Sequence, residues 1–409
     1  MPSGLVAQLV EQSPEKACVA GSIPAQTTIF ITIMSFLFKN KIKLIYIEIV
    51  SFLFLLIFKK PKILFQKKKL KNLYKIYKIK IGKNSYYIYK VIRGRIFTNS
   101  VNDLGMICKN YLIPEASYQY RSAINSNIKN NIILKRGTPK FLKIVKGRVL
   151  SLLAGGGANK NYHHWIVDVL PKIYLLKKKK LFKNIDFFLV PSVELEFQIK
   201  TLKILGIEEK KILESKKYQH LFADEIYSTS EIIDNNSNNI FYWNINFLRK
   251  TFLRATQDRK SYFNYKKVYL DRGEGHLLKD SKNLYNLKDN YRLIINEDEI
   301  KSYLISKGFK VIKSQDLTFL DQVDLFRNLD CLISLHGAGF TNLIFSKPKT
   351  KVIEIRTENN TNKFPYEISK LLRLNYHSIN LRTMHKSKFN QNGLVICPLD
   401  KIVKTLNFL

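Results

Sequence analysis

One stretch constrains the fold more than any other: Cys331-Leu332-Ile333-Ser334-Leu335-His336-Gly337-Ala338-Gly339-Phe340-Thr341-Asn342. A short apolar run rich in branched residues is the pattern of a buried strand. It stops at a histidine and two glycines, and an amphipathic segment begins at Phe340. Strand, tight turn and helix N-terminus therefore succeed one another. Gly337 and Gly339 let the backbone approach a ligand more closely than a side chain would permit. The unpaired N–H groups that open a helix make a seat for phosphate or another anion. Ordinary strand-to-helix turns use glycine too, so the motif has to be weighed with its surroundings. The third glycine of a dinucleotide fingerprint is missing, which argues against an NAD site.

Those surroundings alternate. Lys267 to Arg272 reads as a strand, and Asn296 to Ser306 as a helix with acids in its first turn. Gly308 stops that helix and Phe309 to Lys313 reads as the next strand. Thr318 to Asn328 is an amphipathic helix with Leu320, Val323, Leu325 and Phe326 on its apolar side. Beyond the central strand come a helix, a strand at Lys351 to Arg356, a helix around Tyr366 to Leu372 and a strand near Tyr376 to Ile379. Such alternation predicts a parallel, doubly wound sheet. Ligands in these sheets bind at the carboxyl ends of strands, where Arg272, His336 and Arg356 all stand.

The same pattern recurs upstream. Val149 to Ala154 predicts a strand running into Gly155-Gly156-Gly157, and His163 to Leu176 a helix that Pro171 kinks or restarts. Asp186 to Val190 reads as a strand, and Glu194 to Leu205 as a helix stopped by Gly206. The charged Gln257-Asp258-Arg259-Lys260 stretch marks a break between an upstream α/β domain, residues 81–258, and a downstream one, residues 259–409. Short alternating segments over 82–150 predict a small β-rich region, and the lysine-interleaved run Lys67 to Lys80 a solvated amphipathic surface.

Several of these pieces resemble one known family. They are Tyr269-Leu270-Asp271-Arg272, Asn296-Glu297-Asp298-Glu299, Gln322 in its helix, His336-Gly337-Ala338-Gly339 with Asn342, and Val352-Ile353-Glu354. Together they resemble the family 61 glycosyltransferases, which include bacterial capsular-polysaccharide enzymes and eukaryotic xylosyl- and N-acetylglucosaminyltransferases. A second patch, Tyr162-His163-His164-Trp165-Ile166-Val167-Asp168-Val169-Leu170-Pro171, is similar to that family's upstream His-Trp…Asp…Leu-Pro motif. The resemblance implies a GT-B fold, in which two Rossmann-like parallel-sheet domains of α/β type face each other across a cleft. The upstream domain would take the acceptor and the downstream domain the donor. It further implies a nucleotide-sugar donor, a UDP-sugar foremost, and inversion at the anomeric carbon. The acceptor it suggests is a hydroxyl of a glycan or lipid-linked glycan, in capsular polysaccharide, lipopolysaccharide or other surface polysaccharide biosynthesis.

Sugar transfer needs a base for the acceptor hydroxyl and donors that take up charge on the leaving diphosphate. His163, His164 and Asp168 are the base candidates, and the choice among them stays open. His164 and Asp168 are four residues apart, hence on one helical face; the plainer reading of that pair is a structural contact. For the diphosphate, Arg272 is a guanidinium suited to bidentate contact. Gly337, Ala338, Gly339 and Asn342 add donors, with His336 near the ribose or diphosphate. Glu354 is placed to accept from ribose hydroxyls, or to pair within its sheet. Arg292, Asn296 and Glu297 complete the donor-side set, Glu297 having helix capping as its simpler reading. No D-x-D metal signature stands out, so no obligatory metal or other cofactor is expected.

The formal charge of +37 would suit nucleic acid or an anionic membrane. Lys, Ile, Asn, Phe and Tyr dominate, all favoured by A/T-rich codons, and no nucleic-acid motif accompanies the charge; nucleic acid is not expected as a partner. The four cysteines are scattered and read as free thiols of a reducing compartment. Residues 1–33 differ in composition from the rest of the chain and read as a spurious or disordered extension, with Met34 the plausible initiator. Residues 34–80 form an apolar, then Lys-rich segment. Its apolar core, Leu44 to Phe58, is shorter than the ~20 residues of a membrane span. With lysines on both sides, it predicts a helix lying in the interface or a marginal anchor at the cytoplasmic face of the inner membrane; the plainer reading is a buried helix packed on the globular domain. Two other classes compete with the transferase: a non-enzymatic basic scaffold at a membrane or nucleic acid, and a nucleotide-sugar epimerase on the same fold.

Overall fold

Between Lys267 and Leu381 the strands are short, rich in Val, Ile and Leu, and separated by helical stretches. Such strands are joined by crossovers and run parallel. The structure, a computed structural model, describes residues 49, 52–70, 72–100, 103–119, 127–154, 160–232, 240–259, 263–273, 291–384 and 390–408. Its downstream half is a five-stranded sheet. From one edge the order is Lys310–Lys313, Lys267–Asp271, Cys331–Leu335, Lys351–Thr357 and Asn375–Leu381, with every neighbour parallel. Cys331–Leu335 is central and buried throughout. The Glu297–Ser306 helix ends where Gly308 takes a left-handed φ of 79°. Thr318 and Asp321 cap the Phe319–Asn328 helix reciprocally. After the central strand the chain winds as a 3-10 helix, Ala338–Phe345.

Three short elements escaped the sequence pattern. Arg292–Ile294 and Gly393–Val395 pair in parallel as a small separate sheet, and Leu399–Phe408 is a helix. Three-residue strands are too brief to show a period.

The upstream half corrects the expectation of a second purely parallel sheet. Four strands, His220–Thr229, Lys143–Ser151, Phe187–Val190 and Ile212–Glu214, do run parallel. Beyond His220–Thr229 the sheet continues antiparallel into Asn84–Ser100, which pairs with Tyr74–Ile81 and Asp103–Cys108. The whole is a mixed sheet of ten strands. The cause is local: Ile81 pairs with Asn84 across a turn in which Gly82 takes φ 57°, whereas parallel strands need a crossover of roughly a dozen residues or more. The run Lys67 to Lys80 thus opens as a 3-10 turn, Lys67–Leu70, and from Tyr74 is a strand whose Lys75, Lys78 and Lys80 are exposed while Tyr74 and Ile79 are buried.

The largest apolar cluster joins the halves. It runs from Ile79 and Leu150 through Trp165 and Phe252 to Leu332 and Val352. The Tyr242–Arg254 helix lies within it, and Phe252 meets Phe319 edge-on at 4.8 Å. Gly155–Gly157, residues 1–33 and, of the apolar 44–58 segment, residues 44–48, 50 and 51 lie outside the described residues. Among the described residues no helix is long and apolar enough to cross a membrane.

Candidate functional site

The upstream motif folds as one helical run with a local change of winding. Asn161 caps Tyr162–His164. Trp165–Val169 then widens into a π-turn, with the Leu170 N–H donating to Trp165 O at 3.2 Å. Pro171 restarts the helix as Pro171–Lys178. Proline has no N–H to offer the carbonyl four residues back, so Val167 O would be an orphan inside the core. The buried Asn244 supplies the missing donor, its Nδ2 lying 3.0 Å from Val167 O. Trp165 is fully buried and its Nε1 donates to Thr201 Oγ1 at 2.9 Å.

His164 and Asp168 come together as the spacing predicts. His164 Nδ1 lies 2.7 Å from Asp168 Oδ2, and the side chains keep 30% and 20% of their surface exposed. His163 turns elsewhere. Its Nδ1 lies 2.9 Å from Thr341 Oγ1, and its ring packs 4.2 Å from that of Phe364. Burial, reinforced by His164 and His336, pushes its pKa down to about 3, so the ring is neutral at physiological pH. Next to it, the Tyr162 hydroxyl donates to Asn342 Oδ1 at 2.5 Å. Asn342 Nδ2 donates to Gln322 Oε1 at 2.8 Å, and Gln322 Nε2 to Ser314 O at 3.1 Å. Residues 178 and 180 positions apart thus join the two motifs.

A cavity of about 270 Å³ opens at the carboxyl ends of the downstream strands. Arg272, Gln315, Gly337 and Gly339 line it from below, Tyr162 and Phe197 from the upstream half. Arg272 Nη1 and Arg292 Nη1 both donate to the His336 carbonyl, at 3.2 and 2.9 Å. The small Arg292–Ile294 sheet is what brings the second arginine to this point. A Cβ on Gly337 would sit 2.0 Å from Arg272 Nη1, and one on Gly339 2.8 Å from Leu270 Cδ2. The glycines are therefore needed for close approach. At φ 176° Gly337 is merely extended.

The other sequence-derived residues sit deeper. The His336 ring is 2% exposed and Glu354 fully buried. His336 Nδ1 donates to Glu354 Oε1, the Tyr376 hydroxyl donates to Oε2, and Arg356 Nη1 stands 3.5 Å from Oε2. Burial lowers the His336 pKa against the pull of Glu354. With both oxygens engaged, the Glu354 carboxylate is placed for its partners in the sheet and not for a ribose. Asn296 ties its amide to Cys397, donating to the carbonyl at 2.9 Å and accepting the N–H at 3.0 Å. Glu297 accepts from the Tyr269 hydroxyl at 2.7 Å and pairs with Lys301, which bridges to Asp271 at 2.8 Å. Asn296, Glu297, Glu354 and the His336 ring do not line the cavity; Ala338 does. Sequence reading missed Thr341 and Tyr376, whose hydroxyls carry no spacing signal of their own.

Residues 162–353 match the family described as Glycosyltransferase 61. Over 70 residues the chain is 39% identical to the EGF domain-specific O-linked N-acetylglucosamine transferase of Mus musculus. That stretch covers 16% of this chain and 13% of the relative, so the likeness spans about an eighth of the relative's length. The family match begins at Tyr162 and ends at Ile353, just under half of the chain, and it encloses both the His164–Asp168 pair and the glycine turn.

Proposed function

We propose that the protein is an inverting glycosyltransferase of GT-B type that moves a sugar from a nucleotide-sugar donor, a UDP-sugar foremost, to a hydroxyl of a glycan or lipid-linked glycan at the inner membrane. One observation supports the reading: Tyr162, which opens the upstream motif, lines the same cavity as the glycine turn, and Tyr162 and His163 bond to Asn342 and Thr341 just beyond that turn. The diphosphate takes the end of the cavity at Arg272, with Arg292 beside it and the N–H groups after Gly337 facing it. Two guanidiniums held by a single carbonyl are positioned before the ligand arrives, which is what stabilises charge developing on a leaving group.

His164 is the base of choice among the three candidates. Asp168 accepts from Nδ1 and so fixes the tautomer that leaves Nε2 free of its proton, ready for an acceptor hydroxyl. His163, half-buried and bonded to Thr341, serves as a brace. The acceptor approaches from the side on which His164 keeps its exposure.

The test is a thermal-shift panel of nucleoside diphosphates on the full chain, and then product analysis. One diphosphate at about 100 times its Kd should add about 2.7 kcal/mol of stability, and Arg272→Ala should abolish the effect. His164→Asn should bind that nucleotide normally yet lose about 10²–10⁴-fold in rate, and NMR of the product should show the inverted anomer. No stabilisation by any nucleotide would remove the transferase reading.

A further inference from the structure

We infer that one face of the upstream sheet docks on an anionic lipid surface through Phe141 and Ile144 and the basic residues around them. The surface is separate from the donor cavity and stands whether or not the transfer reading does.

Ile144 lies at the start of the Lys143–Ser151 strand, where an outward side chain on a central strand would normally be covered. It is instead 69% exposed, and Phe141, just before the strand, is 84% exposed. Five basic residues around them, Lys135, Arg136, Lys140, Lys143 and Lys146, are exposed as well. The stretch Ile132 to Lys146 contains no acid. Acids stand just beyond it: Asp224 Oδ2 accepts from the Gly147 N–H at 2.6 Å, and Asp186 Oδ2 from the Arg148 N–H at 2.8 Å. The patch is held rigidly. The Lys140 carbonyl is bonded to His220 Nδ1 at 2.9 Å, and Lys143 Nζ lies 4.8 Å from the Tyr218 ring.

Sheet register shows what else shares this face. Ile144 pairs with Phe222, Phe222 with Arg95, and His220 with Phe97; directly paired residues project on the same side. Phe58 packs on that same side, 4.8 Å from the His220 ring and 5.0 Å from the Arg95 guanidinium. Phe58 ends the apolar run Leu44 to Phe58, and Lys59, Lys60 and Lys62 come after it. The last residue of that run therefore rests on the sheet face that exposes Ile144. Large apolar groups among lysines are the chemistry of an interface with acyl chains below and phosphates above. A nucleic acid would use the lysines and leave Ile144 without a purpose.

A Phe141→Trp variant of the full chain tests this directly. Of the natural tryptophans, Trp165 is fully buried and Trp243 is packed against Tyr86 and Tyr174, and the parent chain supplies the baseline. With vesicles of brominated phosphatidylglycerol, the introduced tryptophan should shift to the blue and be quenched. Brominated phosphatidylcholine should do neither, and about 1 M salt, which shortens screening to ~3 Å, should reverse both. Lys140→Glu with Lys143→Glu should weaken vesicle partition more than tenfold without changing the melting temperature. If the chain sediments with vesicles while the tryptophan stays unquenched, another segment does the binding and the assignment falls. It falls equally if a DNA or RNA duplex, and not vesicles, changes the emission.

Discussion

Gly337 shows how a missing side chain can be the functional element. Its backbone is extended and unstrained, so alanine costs little in conformation. The added Cβ would nevertheless stand 2.0 Å from Arg272 Nη1 and displace that guanidinium from the His336 carbonyl. Gly337 is buried, but the clash falls on the flexible end of Arg272, so Gly337→Ala should cost about 1 kcal/mol or less, a few degrees of melting temperature. Donor affinity should fall by about tenfold or more, the loss of one charge-assisted contact of ~1.5–3 kcal/mol. Titration calorimetry with the diphosphate that stabilises the parent checks this. Arg272 and the glycines were legible in the sequence, because a guanidinium and a glycine turn at strand ends have few other uses together. The fate of His163 was not. Two adjacent histidines on a helix point about 100° apart; the spacing sets His164 against Asp168, whereas His163 meets Thr341, 178 positions away, which no local pattern announces.

That winding belongs to the helical run 162–178 as a unit. Pro171 removes one donor, the π-turn adds a residue to the turn before it, and Asn244 from another helix closes the account with Val167 O. π-turns of this kind recur at functional sites, and here Asp168 is part of it. Asn244→Ala would leave Val167 O buried without its donor, at a cost of about 1–3 kcal/mol. Urea denaturation should show that loss, with a reduced transfer rate beside it, because Asp168 would no longer be held in register with His164. The parallel sheet downstream was readable because each strand and helix there is long enough to show its period and is punctuated by glycine or a cap. The antiparallel part upstream was not readable. Its hairpin is lysine-rich on the outer face, so the alternation that marks a strand looked like a solvated amphipathic surface.

For the molecule as a whole, acid is the condition that matters most. His220 is 1% exposed, and burial, with Arg95 beside it, pushes its pKa down to about 4. A histidine held neutral in the folded chain binds its proton more readily once unfolded, where its pKa is about 6.5. Stability is thus fully present above pH 6.5 or so and declines as pH falls toward 4. From pH 7 to 5 this one group should cost about 2 kcal/mol, at 1.36 kcal/mol per pH unit below ~6.5. His163 acts with the same sign. Denaturant midpoints at the two pH values check the loss, and His220→Gln should flatten the slope.

Sequence also showed the two motifs without showing their meeting, since nothing in a linear pattern states which helix end faces which strand end. The bonds from Tyr162 to Asn342 and from His163 to Thr341 span 180 and 178 positions. Contacts of such separation form only after long loops have closed. In a chain emerging from the ribosome, the His164–Asp168 pair exists long before the turn that gives it something to act on. The candidate site is thus assembled last, and a chain cut short anywhere ahead of residue 341 keeps the His164–Asp168 pair without the Thr341 and Asn342 side chains that join the two motifs.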